Sequence, residues 1–235
     1  VYIQANCNGG FIVDSVTPNY PTSGSIDIDN RGMLLSLFES ISAGKSWSGV
    51  TFNLTSDIDL AGVNLNDYWK AGINQPFCGI LSGNGHTIKG VTDTGGSYGG
   101  LFHVLGKGAV FKNLTLENVN ITSTNDAGAL AATASDRVTI TNVHVTSGSV
   151  VGKSSVGGLV GWFQRGADVE NCSNAATVSG GIYGGGIGAA LWNNSDDYQY
   201  TMKNCTNTGN ISAFDQAGGI AGKLSTDNLY HDFSG

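Results

Sequence analysis

Gly157-Gly158-Leu159-Val160-Gly161 decides the fold, because variants of this stretch recur along the chain. Gly99-Gly100-Leu101, Gly128-Ala129-Leu130, Gly157-Gly158-Leu159, Gly185-Gly186-Ile187 and Gly218-Gly219-Ile220 follow one another at steps of 29, 29, 28 and 33 residues. A second phrase keeps the same beat. Asn113-Leu114, Asn142-Val143, Asn171-Cys172 and Asn204-Cys205 are separated by 29, 29 and 33 residues. A third marker, Ile121, Val150, Val178 and Ile211, steps by 29, 28 and 33. Markers that lengthen together describe one repeating unit with an insertion between its last two copies. A period of this length means a solenoid.

The unit is built of strands. Phe111-Lys-Asn-Leu-Thr-Leu and Val138-Thr-Ile-Thr-Asn-Val-His-Val alternate apolar and polar residues with a period near two. Phe111 and Leu114, Ile140 and Val143, Val169 and Cys172, and Met202 and Cys205 should all face inward, yet each pair is three apart. Strict alternation would place them on opposite faces, so a one-residue bend must restore the phase. The residue at the bend is Asn each time, the side chain most tolerant of a left-handed backbone after Gly. Stacking the coils about 4.8 Å apart predicts a buried hydrogen-bonded ladder of Asn113, Asn142, Asn171 and Asn204. The expected fold is all-β: a right-handed parallel β-helix of about six coils, its hand set by the crossover rule.

These phrases resemble the GLUG motif of repeat surface proteins. Phe77-Cys-Gly-Ile-Leu-Ser-Gly-Asn-Gly-His-Thr-Ile88 and Phe52-Asn-Leu-Thr-Ser-Asp-Ile-Asp-Leu60 resemble the coils that precede such repeats, so the likeness covers roughly residues 26–223. It implies a relation to adhesins resembling filamentous haemagglutinin and to the non-catalytic β-helix region of immunoglobulin-A peptidases. No His-Glu-x-x-His motif is present, so peptidase chemistry does not carry over.

Along the chain, residues 1–25 read as an irregular leader, with Pro18 and Pro21 and no period. Residues 26–50 hold a capping helix and the lead-in to the coils. Asp29-Asn30 open the helix, Leu34, Leu37, Phe38 and Ile41 form one apolar face, and Gly44 stops it. Such a helix covers the open core end of a solenoid. Residues 51–223 are the β-helix repeats and 224–235 a C-terminal tail. The tail lacks a cap pattern, so Ser225–Gly235 could dock on a neighbouring molecule in self-association.

Net charge −7, with only 11 Lys and Arg, argues against nucleic acid as a partner. No apolar run approaches the roughly 18 residues of a membrane span. The chain starts at Val1, which suggests a removed signal peptide or a fragment. Four Cys suggest an oxidising compartment, with Cys172 and Cys205 stacked at one column and Cys7 and Cys78 as the other pair. Seven Asn-x-Ser/Thr sequons occur; those outside the ladder, at Asn53, Asn120, Asn193 and Asn210, are the better candidates for glycosylation.

Chemistry is hard to find. The columns flanking the ladder hold no stacked carboxylate pair of the kind β-helix polysaccharide enzymes use. Asp57 and Asp59 fit turn and capping roles, and His86 a turn. His86, His103, His144 and His231 show no metal spacing, and the Gly phrases no phosphate loop, so no metal, cofactor or catalytic residue is assigned. The longer step before Ile220 accommodates an insertion spanning Leu191–Tyr200, and insertions in solenoids map to loops, often on the binding face. There Trp192, Tyr198 and Tyr200, with Trp162 one coil earlier, have the composition of a sugar or protein contact. The expectation is a non-enzymatic, extracellular surface protein: an adhesin, stalk or fibre subunit with itself, other surface proteins or glycans as partners. The alternative is a carbohydrate-binding or carbohydrate-active β-helix.

Overall fold

A computed structural model describes residues 22–69, 75–193, 199–226 and 231–232. The leader with Cys7 lies almost wholly outside them, as do Tyr198 and the side chain of Asn193. The chain winds as a parallel β-helix of about seven turns. The longest path of parallel strands runs Gly24–Ile28, Val50–Leu54, Ile80–Ser82, Val110–Glu117, Val138–Val145, Ala167–Glu170, Tyr200–Lys203 and His231–Asp232. Each full coil bends within this first sheet at an Asn corner and then leaves it. It then adds a strand to a flat sheet that begins at Thr92–Gly96, to a short sheet that begins at Ala127–Gly128, and to a sheet that begins at Phe102–Leu105.

The registers match the sequence markers. Ile121, Val150, Val178 and Ile211 pair in one column, and Gly128, Gly157, Gly185 and Gly218 in another. The predicted corner is present: Asn113, Asn142, Asn171 and Asn204 have φ of 54°, 55°, 54° and 52°. The bend keeps Phe111 with Leu114, Ile140 with Val143, and Val169 with Cys172 inside the core. The ladder itself needs correction, because these Asn side chains are exposed rather than buried. Asn142 Nδ2 donates to Asn113 Oδ1 at 2.9 Å, and Asn204 Nδ2 to Asn171 Oδ1 at 3.2 Å. The inward places on either side of the bend are taken by Phe111 and Leu114, Ile140 and Val143, and Val169 and Cys172, which leaves the Asn between them on the outside.

An inward-facing Asn pair does exist three residues further along, with Asn174 buried and Asn207 half-buried. Asn174 is 1% exposed; its Nδ2 donates to Asn207 Oδ1 at 2.8 Å and to Ala176 O at 2.9 Å. Its Oδ1 accepts from the Ala176 amide, and Asn207 repeats the loop with Gly209 O. These amides take over a column that Leu116 and Val145 fill in earlier coils. The exchange is tolerated because each amide satisfies the backbone of its own turn.

The helix is Arg31–Ser42. Asn30 caps it by accepting from the Met33 amide at 3.1 Å, and Leu34, Leu37, Phe38 and Ile41 are buried. It is not the first element. Gly24–Ile28 precedes it and pairs in parallel with Val50–Leu54, so the helix is the crossover between two strands of the first sheet. That strand adds a turn to the expected six. Phe38 meets Phe102, in the first strand of its sheet, edge-on at 5.4 Å and Trp69 at 5.1 Å, so the helix covers the core end of that sheet. Aromatic contacts continue from Phe52 through Phe77 and Phe102 to Phe111, filling a cross-section that later coils fill with Ala, Val and Leu. At the other end Leu224 is 47% exposed, whereas Leu191, its partner one coil earlier, is fully buried.

The Gly phrases mark where backbones approach too closely for a side chain. A Cβ on Gly158 would stand 2.0 Å from Gly186 O, and one on Gly186 1.9 Å from Gly219 O. A Cβ on Gly219, the same phrase in the last described coil, would meet nothing within 4 Å. Gly158→Ala is therefore expected to cost about 1–3 kcal/mol or more through forced backbone shifts. Gly219→Ala should stay within about 0.5 kcal/mol of the parent. Urea unfolding of the two variants checks this, and equal stabilities would refute the packing account.

Candidate functional site

Three groups of functional side chains emerge from the coils. The first lies on the outer face of the sheet that begins at Phe102–Leu105. Its column runs Val104, Thr133, Trp162, Ala190 and Lys223, one residue per coil; Val104, Thr133 and Ala190 are buried, and Trp162 and Lys223 half-buried. Trp192 stands two residues beyond Ala190 in the same strand, diagonal to Trp162. Leu191 and Trp192 thus belong to the sheet rather than to a loop, and residues 194–198 of the expected insertion lie outside the described residues. Trp162, Gln164, Arg165 and Trp192 line a groove of about 480 Å³. Trp192 is 45% exposed, and Trp162 Nε1 is shielded from solvent without a protein acceptor. Lys223 Nζ lies 2.9 Å from Tyr183 Oη and 5.6 Å from the centre of the Trp192 ring.

Tyr200, expected as a contact residue, is instead a strut. It is fully buried, and its one hydroxyl proton is shared between the carbonyls of Trp192, the nearer, and Phe163, tying the two strands that carry the groove. Burial pushes its pKa up to about 12. It faces inward because Tyr200 pairs with Ala167, a small core residue that leaves room for a ring.

The second group is the cysteine column. Cys172 is buried and Cys205 half-buried on successive coils, as the spacing predicts. The expected disulfide is not formed in the structure: both are thiols, as is Cys78, and Cys7 lies outside the described residues. A hydrogen bond from the Cys172 thiol draws the Cys205 pKa down to about 7, while the same contact and burial push Cys172 up. Cys205 is then the more reactive of the two at neutral pH.

The third group escaped the sequence reading. Asp93 occupies the core column of Ile121 and Val150, yet is fully buried. Its Oδ2 accepts from the Gly100 amide at 3.0 Å and lies 3.0 Å from His103 Nε2. His103 stacks on Trp69 at 5.1 Å. Asp93 Oδ1, His103 Nδ1 and Trp69 Nε1 are all buried without a hydrogen-bond partner. The one available signal was an Asp standing where the apolar column demands Ile or Val.

Other candidates are structural. Asp57 Oδ1 accepts from the Thr87 amide at 2.9 Å and lies 3.3 Å from His86 Nδ1; the Thr87 bond first, then His86, hold its pKa below the usual carboxylate value. Asp59 accepts from the Ala61 amide, a turn role as expected. Among the sequon asparagines, Asn120 and Asn210 are exposed and Asn53 is half-buried beside Asp27. Among the described residues no group of three His, Cys, Asp or Glu is placed to hold a metal ion. No described helix is long and apolar enough to cross a membrane.

A parallel β-helical repeat with aromatic and basic side chains on one outer column is the class these observations define. Residues 36–147 match the family described as the M26 IgA1-specific metallo-endopeptidase N-terminal region. Halomucin of Haloquadratum walsbyi is 31% identical over 176 residues, which are 69% of this chain and 2% of halomucin. An immunoglobulin A1 protease of Streptococcus sanguinis is 32% identical over 128 residues, 52% of this chain and 7% of that protein. The chain therefore spans only a small fraction of the curated relatives it matches. A crystal structure from Bacteroides ovatus, of a protein described provisionally as an immunoglobulin A1 protease, aligns with a TM-score of 0.70. It covers 90% of this chain and 66% of that one at 23% identity, a likeness that shows the fold. The β-helix is similar to that of the N-terminal region of the immunoglobulin-A peptidases, as the Gly-Gly-Leu phrases imply.

Two outcomes test these sites. Under reducing conditions, iodoacetamide should modify Cys205 before Cys172, at a rate that rises through about pH 7. Cys172→Ala should move that rise to higher pH, and mass spectrometry of quenched samples reads both. Asp93→Ala removes one partner of a buried pair and is expected to cost about 3–5 kcal/mol. A melting curve matching the parent would show that the pair does not hold this end together.

Proposed function

We propose that this chain is a non-catalytic, extracellular rod: a stretch of a surface protein that spaces or presents adhesive sites on its outer columns. The observation that supports this is how the interior is used. Among the described residues, the core of the coils is filled by fully buried apolar side chains such as Leu130, Val160, Phe163 and Ile187. The amides of buried Asn174 and half-buried Asn207 serve their own turns. Interaction is then left to side chains on the outside. The partners in this reading are other surface proteins, glycans or a second copy of the chain.

In an oxidising exterior the stacked Cys172 and Cys205 are expected to join as a disulfide, and Asn120 and Asn210 to be open to glycosylation. Three measurements bear on the reading. Antibodies raised against the chain should label intact source cells or their medium. Human IgA1 incubated with the chain should remain uncleaved. Peptide mapping of secreted material without reductant should recover Cys172 linked to Cys205. Labelling only after cell lysis, or fragmentation of IgA1, would overturn the proposal.

A further inference from the structure

We propose that the groove between Trp162 and Trp192 binds a carboxylated saccharide. The argument starts from what the coil register places together. Trp162 and Trp192 come from adjacent strands, two residues apart in register, and present two indoles along one groove. An indole is flat, apolar and rigid, with one polar edge. It can take the C–H face of a pyranose ring at little entropic cost. Gln164 adds an amide, one acceptor and two donors, the chemistry that hydroxyl groups pair with.

The charge is what narrows the class. The protein carries net charge −7, yet among the described residues no carboxylate lines this groove. Arg165 lines it instead. Its Nε donates to Ser135 O at 3.2 Å, which anchors the guanidinium and leaves the terminal nitrogens for a ligand. A guanidinium pairs with a carboxylate through two parallel hydrogen bonds. Lys223 sits at the Trp192 side, held by the Tyr183 hydroxyl and ring. Two cations beside two indoles fit an acidic sugar better than a neutral one. The indole faces and the amide favour a sugar over a bare anion.

The site deepens the surface-rod reading but is tested apart from it, in solution, on the chain itself. Binding is read by tryptophan fluorescence and calorimetry. 3′-Sialyllactose and a hyaluronan hexasaccharide are the acidic probes, with lactose and chitohexaose as neutral counterparts. At least one acidic probe should bind saturably and at least about tenfold more tightly than its neutral counterpart. The probe that binds tells a sialic acid from a uronic acid as the source of the carboxylate. Arg165→Gln should bring the acidic probe down to the neutral level. Trp192→Ala should abolish binding of both. Both positions are exposed, so melting temperatures should stay near the parent's and separate lost binding from lost fold. Equal affinity for acidic and neutral sugars, equal competition by hexaglutamate, no binding of either acidic probe, or binding that survives both variants would each overturn the proposal. None of these results bears on whether the chain is displayed outside the cell, so failure here and failure of the surface reading are distinguishable.

Discussion

Every coil has to close on itself and leave its neighbours, one strand spacing of about 4.8 Å away, undisturbed. The rest of the structure depends on that constraint. Residues are stacked in columns, so each side chain is judged by what sits directly above and below it. Where the turn between the short sheet and the next one folds tightest, there is room for hydrogen only. That is why Gly157 and Gly185 stand with their missing Cβ positions about 2 Å from backbone oxygens of the same turn. Where the first sheet must bend without losing its inward face, a left-handed residue is required, and Asn supplies it four times. Glycine at one corner and asparagine at another are two answers to the same demand.

The same constraint explains how functional surface arises on a rod whose interior is full. A column repeats its residue type only as far as packing requires it. On the outer face of the sheet carrying Trp162, nothing in the core dictates the side chain, and the column passes from Thr133 to Trp162 to Ala190 to Lys223. Tyr200 then links this surface to the interior. Its buried hydroxyl bonds the carbonyls of Phe163 and Trp192, so the strands bearing the two indoles are held at fixed separation from beneath. A rigid floor under flat aromatic side chains is what a weakly bound, extended ligand needs, because little ordering remains to be done on binding.

The two ends of the described rod differ physically. At the first, a helix and a run of aromatic rings close the core, and a buried Asp93–His103 pair sits beneath them beside Trp69. Putting a carboxylate in an apolar column is costly unless it is bonded, and Asp93 is bonded twice through one oxygen. The arrangement joins the Gly100 turn to the strand holding His103, at the point where the regular coils begin. At the last coil, residues equivalent to buried ones upstream are half-buried or exposed.

How much was legible before folding follows from which forces are local. The period, the inward and outward alternation, the Asn bend and the Asn30-capped helix are set by neighbours in sequence or by residues one repeat away. The spacing of Gly158, Asn171 and Val178 from their copies therefore determined the β-helix and its registers by itself. What the sequence misjudged were matters of direction and of distant partners. Asn142 stands on the outside, an orientation that the spacing does not reveal. Trp192 and Tyr200 share one composition-rich stretch, but one lies on the surface and the other in the core, because Ala167 leaves space for a ring only where Tyr200 stacks. Gly24–Ile28 becomes a strand only because Val50–Leu54 lies beside it. Asp93 meets His103 within one coil, and Trp192 comes beside the Trp162–Arg165 segment by the stacking of successive coils. The sequence determined the repeat, since each coil answers to its copies at fixed spacing. Tertiary structure alone decided the groove, since an outer column is free of the core and gains its meaning from whatever the next coil brings beside it.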